Sequence, residues 1–426
     1  MTNIPIDIPL PLPAPDAVLK ALLVITFIIH ILFVGLMVGG TYWSVIFRVL
    51  GKEDPFYERL ARETLDTVTI NKSLAVVLGV APLLLIGLAY TGYWYTANMM
   101  TVPAFLSIIW LVILAFLLLY AYKYTWDGLG ERAPLIHLSL GLSACAIFAF
   151  VPLIFLTNIN LMILPFRWDS TEGFVQALLL PNVLFRYIHF LVAVFAMIGF
   201  FAAIYFWYRG RKSDDPFYCR AQRLGVKWAL AGTLLQGIFG TLNFITLPQG
   251  AYSTTLVIHI VAALVLVAAV CIALIRALQK TSGRPIIAAV VLLGIVALLM
   301  SFVRHVVREN LLREPQTVAA QRTQEYQASL AAFLATYTVE GERVLSGEEL
   351  FKRYCTSCHA PDRQLVGPPT QYMIEKYTGK KEDMVAFVMN PKKVNPKLPA
   401  MPTPPIGKDE IEQIVEHILG EANDVR

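Results

Sequence analysis

The sequence predicts an all-α protein: a polytopic membrane unit of eight transmembrane helices in two four-helix halves, followed by a small globular domain at the C-terminus. Three observations predict it. Hydrophobic residues fill 57% of the 426 positions and charged residues only 15%, with a mean hydropathy of +0.61, too apolar for a soluble chain of this size. The apolar residues gather into eight runs, each close to the ~20 residues that a helix needs to cross a bilayer. After Leu312 the composition turns polar.

Residues 1–19 form a proline-rich tail with no basic n-region and no small-residue cleavage site, so it reads as a lead into the first span and not as a signal peptide. The runs then cover 20–47, 70–97, 102–123, 134–157, 182–208, 225–246, 254–275 and 285–310 within the membrane unit 20–312. The loops after spans 1, 3, 5 and 7 carry fifteen Lys and Arg residues, and the opposite side of the first seven spans carries Lys20 and Arg167. By the positive-inside rule both termini face the periplasm of a bacterial inner membrane. The formal net charge of +5 lies in the membrane part, because residues 343–426 hold 12 basic and 12 acidic side chains. No basic patch exists to bind nucleic acid.

A repeat divides the membrane unit. "EDPFYERLA" at 53–61 follows span 1 and "DDPFYCRAQ" at 214–222 follows span 5. His30 precedes the first DPFY by 24 residues and His189 precedes the second by 26. Four spans separate the copies, so they share one orientation, as in a parallel repeat.

Ionisable residues inside spans mark function. His30, His189, His259 and His305 fall ~8–14 Å below the outer ends of their helices at 1.5 Å per residue, so four imidazoles share the outer half of the bilayer. Four histidines at one level in a bundle suit one or two bis-imidazole haems. Arg186 lies three residues before His189, and Arg304 and Arg308 flank His305; haem propionates need such cations. His137 sits apart, at the cytoplasmic start of span 4, with either a proton path or a third haem open to it. Cys145, Cys219 and Cys271 are read as structural thiols.

Residues 313–342 form a helical linker, and 343–426 a periplasmic domain. Its "RYCTSCHA" holds C-x-x-C-H: Cys355 and Cys358 to bond the haem vinyl groups, His359 to supply the proximal nitrogen. An amphipathic helix runs into the motif, "KLPAMPTPP" places Met401 between prolines 42 residues later, and "KDEIEQIVEHILG" closes the domain. This stretch resembles a small class I cytochrome c. The resemblance implies one covalent haem c with His359/Met401 ligation, and leaves Met373, Met384 and Met389 as core residues. Lys392, Lys393 and Lys397 precede Met401 and suit docking of an acidic partner.

The membrane part resembles subunit I of cytochrome bd quinol oxidases over most of residues 20–310. "IIHILFVGLMVGG" is similar to that family's first haem-ligand helix, "LIHLSLGLSACAIFAFVPLIFLTNINLMILP" to its fourth, and "FRYIHFLVAVFAMIGF" to the helix of the low-spin ligand. The resemblance implies His189 as that ligand, with Arg186 three residues before it. The departures are specific. "LVIHIVAAL" puts His259 where the family has methionine. Ser107 and Ala115 stand where span 3 carries glutamates. His305 in "LLMSFVRHVVREN" lies two turns beyond an absent glutamate ligand, and the quinol loop shrinks to "TLPQGAYST".

These departures favour electron transfer over oxygen reduction. The expected protein passes electrons between one or two b-type (or variant) haems, paired as His189/His259 and His30/His305, and a periplasmic haem c. Quinone or quinol, membrane lipid, a periplasmic electron carrier and respiratory complex subunits are the expected partners. The alternatives are a bd-like terminal oxidase or nitric oxide reductase fed by its own cytochrome c, and a haem-bearing subunit of a larger respiratory complex.

Overall fold

A computed structural model describes residues 12–70, 72–279, 283–341, 345–396 and 399–420. Lys397 lies outside the described residues. Helices account for the elements, and no strand occurs among the described residues. The chain divides into two compact units, Met1–Glu325 and Tyr326–Arg426.

In the first unit the helices are α1 (Asp16–Leu50), α2 (Pro55–Ile70), α3 (Lys72–Ala89), α4 (Thr91–Met100), α5 (Val102–Tyr124), the single turn α6 (Leu129–Arg132), α7 (Pro134–Met162), the short α8 (Gly173–Leu178), α9 (Val183–Gly210), α10 (Pro216–Ile245), α11 (Thr254–Gln279) and α12 (Gly283–Gly341). Seven of them, α1, α5, α7, α9, α10, α11 and α12, are long and apolar enough to cross a membrane. A bent pair, Pro55–Thr69 with Leu74–Ala89, inclined by 47°, makes an eighth if it counts as one broken span. The apolar run 70–97 is thus divided: α3 stops at Ala89, and α4 restarts after Tyr90, whose φ of −136° and ψ of 42° are not helical. The run at 225–246 is the later part of a longer helix, because Asp215 caps α10 by accepting from the Phe217 N–H. The stretch expected as a linker continues the last span without a break, Pro315 included.

The duplicated motif becomes a two-fold junction at the end of the bundle that bears the basic loops. Asp54 accepts from the Phe56 N–H and Asp215 from the Phe217 N–H, both at 2.9 Å. Each aspartate then pairs with the arginine of the other copy, Arg220–Asp54 and Arg59–Asp215, both at 2.6 Å. Each arginine also covers the other copy's phenylalanine, Arg59 at 3.9 Å from the Phe217 ring and Arg220 at 4.0 Å from Phe56. The two phenylalanines meet on the axis at 5.4 Å.

Above the junction, small residues bring α9 and α10 into backbone contact. A Cβ on Gly199 would lie 2.3 Å from the Ala229 nitrogen, and one on Gly232 would lie 2.7 Å from the Ala196 Cα. The first half keeps the register but not the backbone contact: a Cβ on Gly40 would meet the side chain of Val68, which follows Asp54 by the same 14 residues that separate Ala229 from Asp215.

The second unit holds α13 (Gly347–Tyr354), α14 (Thr370–Tyr377), α15 (Lys381–Met389) and α16 (Lys408–Gly420). Ser346 and Glu349 close a capping box on α13. Leu350, Met384, Val385, Ile411, Ile414, Val415 and Ile418 form the core. Helices α13 and α16 cross closely, since a Cβ on Gly347 would lie 2.2 Å from the Gln413 carbonyl oxygen.

Candidate functional site

In the second unit α13 delivers the cysteines. Its last turn runs into Cys355, whose N–H bonds the Phe351 carbonyl, and the Cys358 and His359 N–H groups both bond the Cys355 carbonyl. This tight turn sets the two thiols and the imidazole on consecutive bonds of one loop. His359 is 8% exposed. Its Nδ1–H donates to the Pro368 carbonyl at 2.8 Å, which fixes the tautomer and leaves the Nε2 lone pair for a metal. Gly367 makes room for the ring, because a Cβ there would sit 2.2 Å from Cε1. Burial, with the neighbouring Cys358, pushes the Cys355 thiol up to about 11, so it stays a thiol at neutral pH. Met401 is half-buried in the proline-rich loop; Met384 is in the core, Met373 packs against it, and Met389 is exposed. Lys392 and Lys393 are exposed.

In the first unit the histidines occupy two kinds of place. His30 on α1 rests against Gly79 of α3, where a Cβ would come within 2.8 Å of its Cε1. His189 on α9 rests against Gly240 of α10, with the corresponding distance 3.2 Å. The two glycines follow Asp54 and Asp215 by the same 25 residues, so the halves repeat a histidine-on-glycine contact. Gln236 donates to the His189 carbonyl at 3.0 Å. The Nδ1 atoms of His30 and His189 are buried and have no hydrogen-bond partner among the described residues.

His259 and His305 have no counterparts in the first half. They flank Phe302, whose ring lies 4.9 Å from His259 and 6.1 Å from His305. The His259 Nδ1–H donates to the Thr255 carbonyl at 2.7 Å, again leaving Nε2 as the free nitrogen. The described contacts therefore join His259 to His305 through Phe302, a neighbourhood that the spacing of the sequence did not reveal.

Arg186, Arg304 and Arg308 lie close enough to feel one another's charge, although they come from α9 and α12. Arg304 stacks 4.0 Å over Phe27, three residues before His30, and Arg308, 7% exposed, stacks 4.8 Å over Tyr90. The Nη1 of Arg186 is buried without a partner among the described residues. Three guanidiniums gathered in an apolar bundle are costly unless an anion joins them.

The carboxylate nearest to His305, Glu309, already has partners: Lys20 at 2.9 Å and the Tyr90 hydroxyl, which donates at 2.5 Å; the His305 Nδ1 is 3.9 Å away. Sequence reading passed over Glu309, Tyr90, Phe302 and both glycines. Glu309 was signalled by its i+4 spacing from His305, and Gly79 and Gly240 by their common distance from the repeated aspartate.

His137 is different. It is fully buried, its ring stacks on Tyr122 at 4.4 Å and meets Trp126 edge-on at 5.3 Å, and its Nε2–H donates to the Tyr122 carbonyl at 2.8 Å. Beside it Glu58 accepts from Arg48 and Trp126, and Arg48 donates to the Gly130 carbonyl. With one nitrogen spent and the ring enclosed by aromatics, His137 has no open side for a porphyrin.

The donor sets fit haem. The second unit offers two cysteines and a histidine with a directed lone pair; the first offers imidazoles with uncommitted nitrogens, glycine cradles and excess buried cations. The comparisons agree with this division. Residues 342–418 match the family model for cytochrome c oxidase, cbb3-type, subunit III. Cytochrome c-551 of Pseudomonas denitrificans is 37% identical over 79 residues, 17% of this chain and 95% of that protein. The structure of bd oxidase from Geobacillus thermodenitrificans is similar to 78% of this chain and 99% of its own, with a TM-score of 0.54 and 14% sequence identity. At that identity the likeness shows the fold.

Proposed function

Because the chain belongs, through its C-terminal domain, to the cytochrome c family, and its membrane unit has the fold of a bd oxidase, we propose that it is a membrane electron-transfer protein linking b-type haems in the bundle to a haem c outside it. Such groups supply one-electron chemistry. Cys355 and Cys358 hold the haem c covalently, His359 and Met401 ligate it, and the Pro368 carbonyl keeps His359 in the right tautomer. In the bundle His189 and His259 hold one haem b and His30 and His305 a second. Arg186, Arg304 and Arg308 receive the propionates.

The observation that carries this reading is the arginine cluster with the partnerless Arg186 Nη1, because a bundle this apolar does not gather three cations without an anionic occupant. The protein lies in a bacterial inner membrane with both termini in the periplasm. The membrane quinone pool, or subunits of a respiratory complex, exchange electrons with it on one side and a periplasmic carrier on the other.

The test is a reduced-minus-oxidised spectrum of the purified chain with pyridine haemochrome quantification. One c-type haem with one or two low-spin b-type haems is expected. A high-spin or chlorin signal that binds carbon monoxide would replace this reading with a terminal reductase. A chain with covalent haem alone would remove the membrane haems from it.

A further inference from the structure

A groove of about 410 Å³ runs between α9 and α10, from Lys227 to Val192 and Leu235, and none of the cluster's histidines or arginines lines it. Phe195 and Trp228 wall it, with ring centroids 5.9 Å apart, and the small Ala231 and Gly232 make its floor. Lys227 stands at one end and Leu235 at the other. These two and Ala231 recur every four residues on the exposed face of α10, a stripe ~12 Å long at 1.5 Å per residue. That is within half of the ~30 Å hydrocarbon core. Lys227 and Arg223, one turn apart and both exposed, lie at the start of the apolar part of α10, where long cationic side chains reach the headgroup level.

We propose that this groove holds an acyl chain of an anionic phospholipid, whose phosphate is met by Lys227 and Arg223. The charge selects the occupant. A quinone headgroup offers carbonyl acceptors but no negative charge to answer two cations, and a choline headgroup brings a cation of its own.

The repeat supplies an internal control. Lys227 follows Asp215 by 12 residues, and the residue 12 after Asp54 is Asp66. In the same register Thr67 replaces Trp228 and Glu63 replaces Leu224. Asp66 is already paired with Lys123 at 2.9 Å, and Glu63 with Arg59 at 3.0 Å. The duplicated fold therefore does not require a basic, aromatic-walled groove here. Arg223 does have a cationic counterpart, Arg62, but that side chain is paired with Asp127 at 2.7 Å, and with Asp66 in place of Lys227 the first half keeps no free cation pair for a phosphate.

The test is native mass spectrometry of the intact haem-loaded protein released from vesicles of equal phosphatidylglycerol and phosphatidylcholine. Wild type is expected to retain phosphatidylglycerol in preference. Lys227→Gln and Arg223→Gln are each expected to lower that retention roughly fivefold, the effect of losing one surface cation near an anionic lipid. Ala231→Phe, which fills the floor, is expected to remove retention of either lipid, and Leu235→Trp to do the same from the other end should Ala231→Phe fail to fold. Haem content and thermal midpoint report folding of each variant. Equal retention of the two lipids by wild type, unchanged retention in folded charge and filling variants, or a quinone in place of the phospholipid would each overturn the proposal.

Discussion

The two ends of the membrane unit handle charge in opposite ways. At the DPFY end every cation of the junction has an answering acid or ring: Arg59 and Arg220 each have an aspartate at 2.6 Å and a phenylalanine beneath, and Arg48 has Glu58. Toward the other end, Arg186, Arg304 and Arg308 crowd together, Arg186 lacks a partner for Nη1, and two imidazoles keep an unused Nδ1. Glu309, the carboxylate beside His305, is already held by Lys20 and Tyr90. Among the described residues, orphaned buried polar atoms occur at both ends, the His137 Nδ1 and the Tyr122 hydroxyl near Arg48 and Glu58 among them, so the difference lies in the cations. Answered cations hold the halves together; an unanswered buried guanidinium such as Arg186 suits an anionic occupant.

Substitutions at the two ends test that contrast, and the largest effect is expected at the histidines. His189→Ala and His30→Ala should each remove a b-type haem equivalent from the pyridine haemochrome count, with the covalent haem c intact. Arg59→Ala should leave all haems in place. If Arg59→Ala empties the bundle of haem as fully as His189→Ala, the ends do not differ in the way described.

Next come the cradles. Gly79→Leu and Gly240→Leu push a side chain into the space of the imidazole and should perturb the b-type spectrum. The effect should be stronger at Gly79, where a Cβ would already lie 2.8 Å from the ring, against 3.2 Å at Gly240. Identical wild-type spectra for both variants would mean that neither ring is held against its glycine.

A smaller effect is expected from Arg186→Leu. Removing a cation that stabilises the reduced, more negative haem should lower one b-type midpoint potential by about 60 mV, a tenfold change in a one-electron equilibrium. An unchanged potential in redox titration would detach Arg186 from the haem and leave it a packing residue.

The smallest effect belongs to the junction. The Arg220 partner, followed by the Phe56 N–H, holds the Asp54 carboxyl below its ordinary 3.8; the Phe217 N–H, followed by Arg59, does the same for Asp215. A depressed carboxylate stabilises the fold above its unfolded pKa, and this contribution is lost as pH falls through the folded values. The junction should therefore contribute fully at neutral pH and weaken only below 3.8. Asp54→Asn should shift the thermal midpoint by a few degrees at most at pH 7, because these pairs are exposed to solvent, and by less still in strong acid. A larger shift at low pH than at neutrality would mean that the two carboxylates do not stabilise the junction in their charged form.

Much of this was legible in the residues. The C-x-x-C-H needs no fold to be read, because its chemistry is local: two thiols and an imidazole within five consecutive residues. The spans were legible because a bilayer demands long apolar runs. The break at Tyr90 was only faintly marked, by the single Thr91-Gly92 inside an otherwise apolar run. The helix over 313–341 was legible, but its unbroken continuation from the apolar segment through Pro315 was not.

The sequence by itself determined the helical class, the number of crossings to within one bent pair, the duplication and the covalent haem motif, because each is a matter of composition or spacing along the chain. The tertiary structure decided what crosses between helices. It set Asp54 against Arg220 and Arg59 against Asp215, turning two copies of a tetrapeptide into one reciprocal joint. It brought His259 and His305 to the two sides of one phenylalanine, and drew Arg186 to Arg304 and Arg308 from more than a hundred residues away. It also separated His137 from the other histidines by stacking it on Tyr122. Which residues meet depends on how helix faces rotate and pack, and a single sequence records the periodicity of a face but not the partner it turns toward.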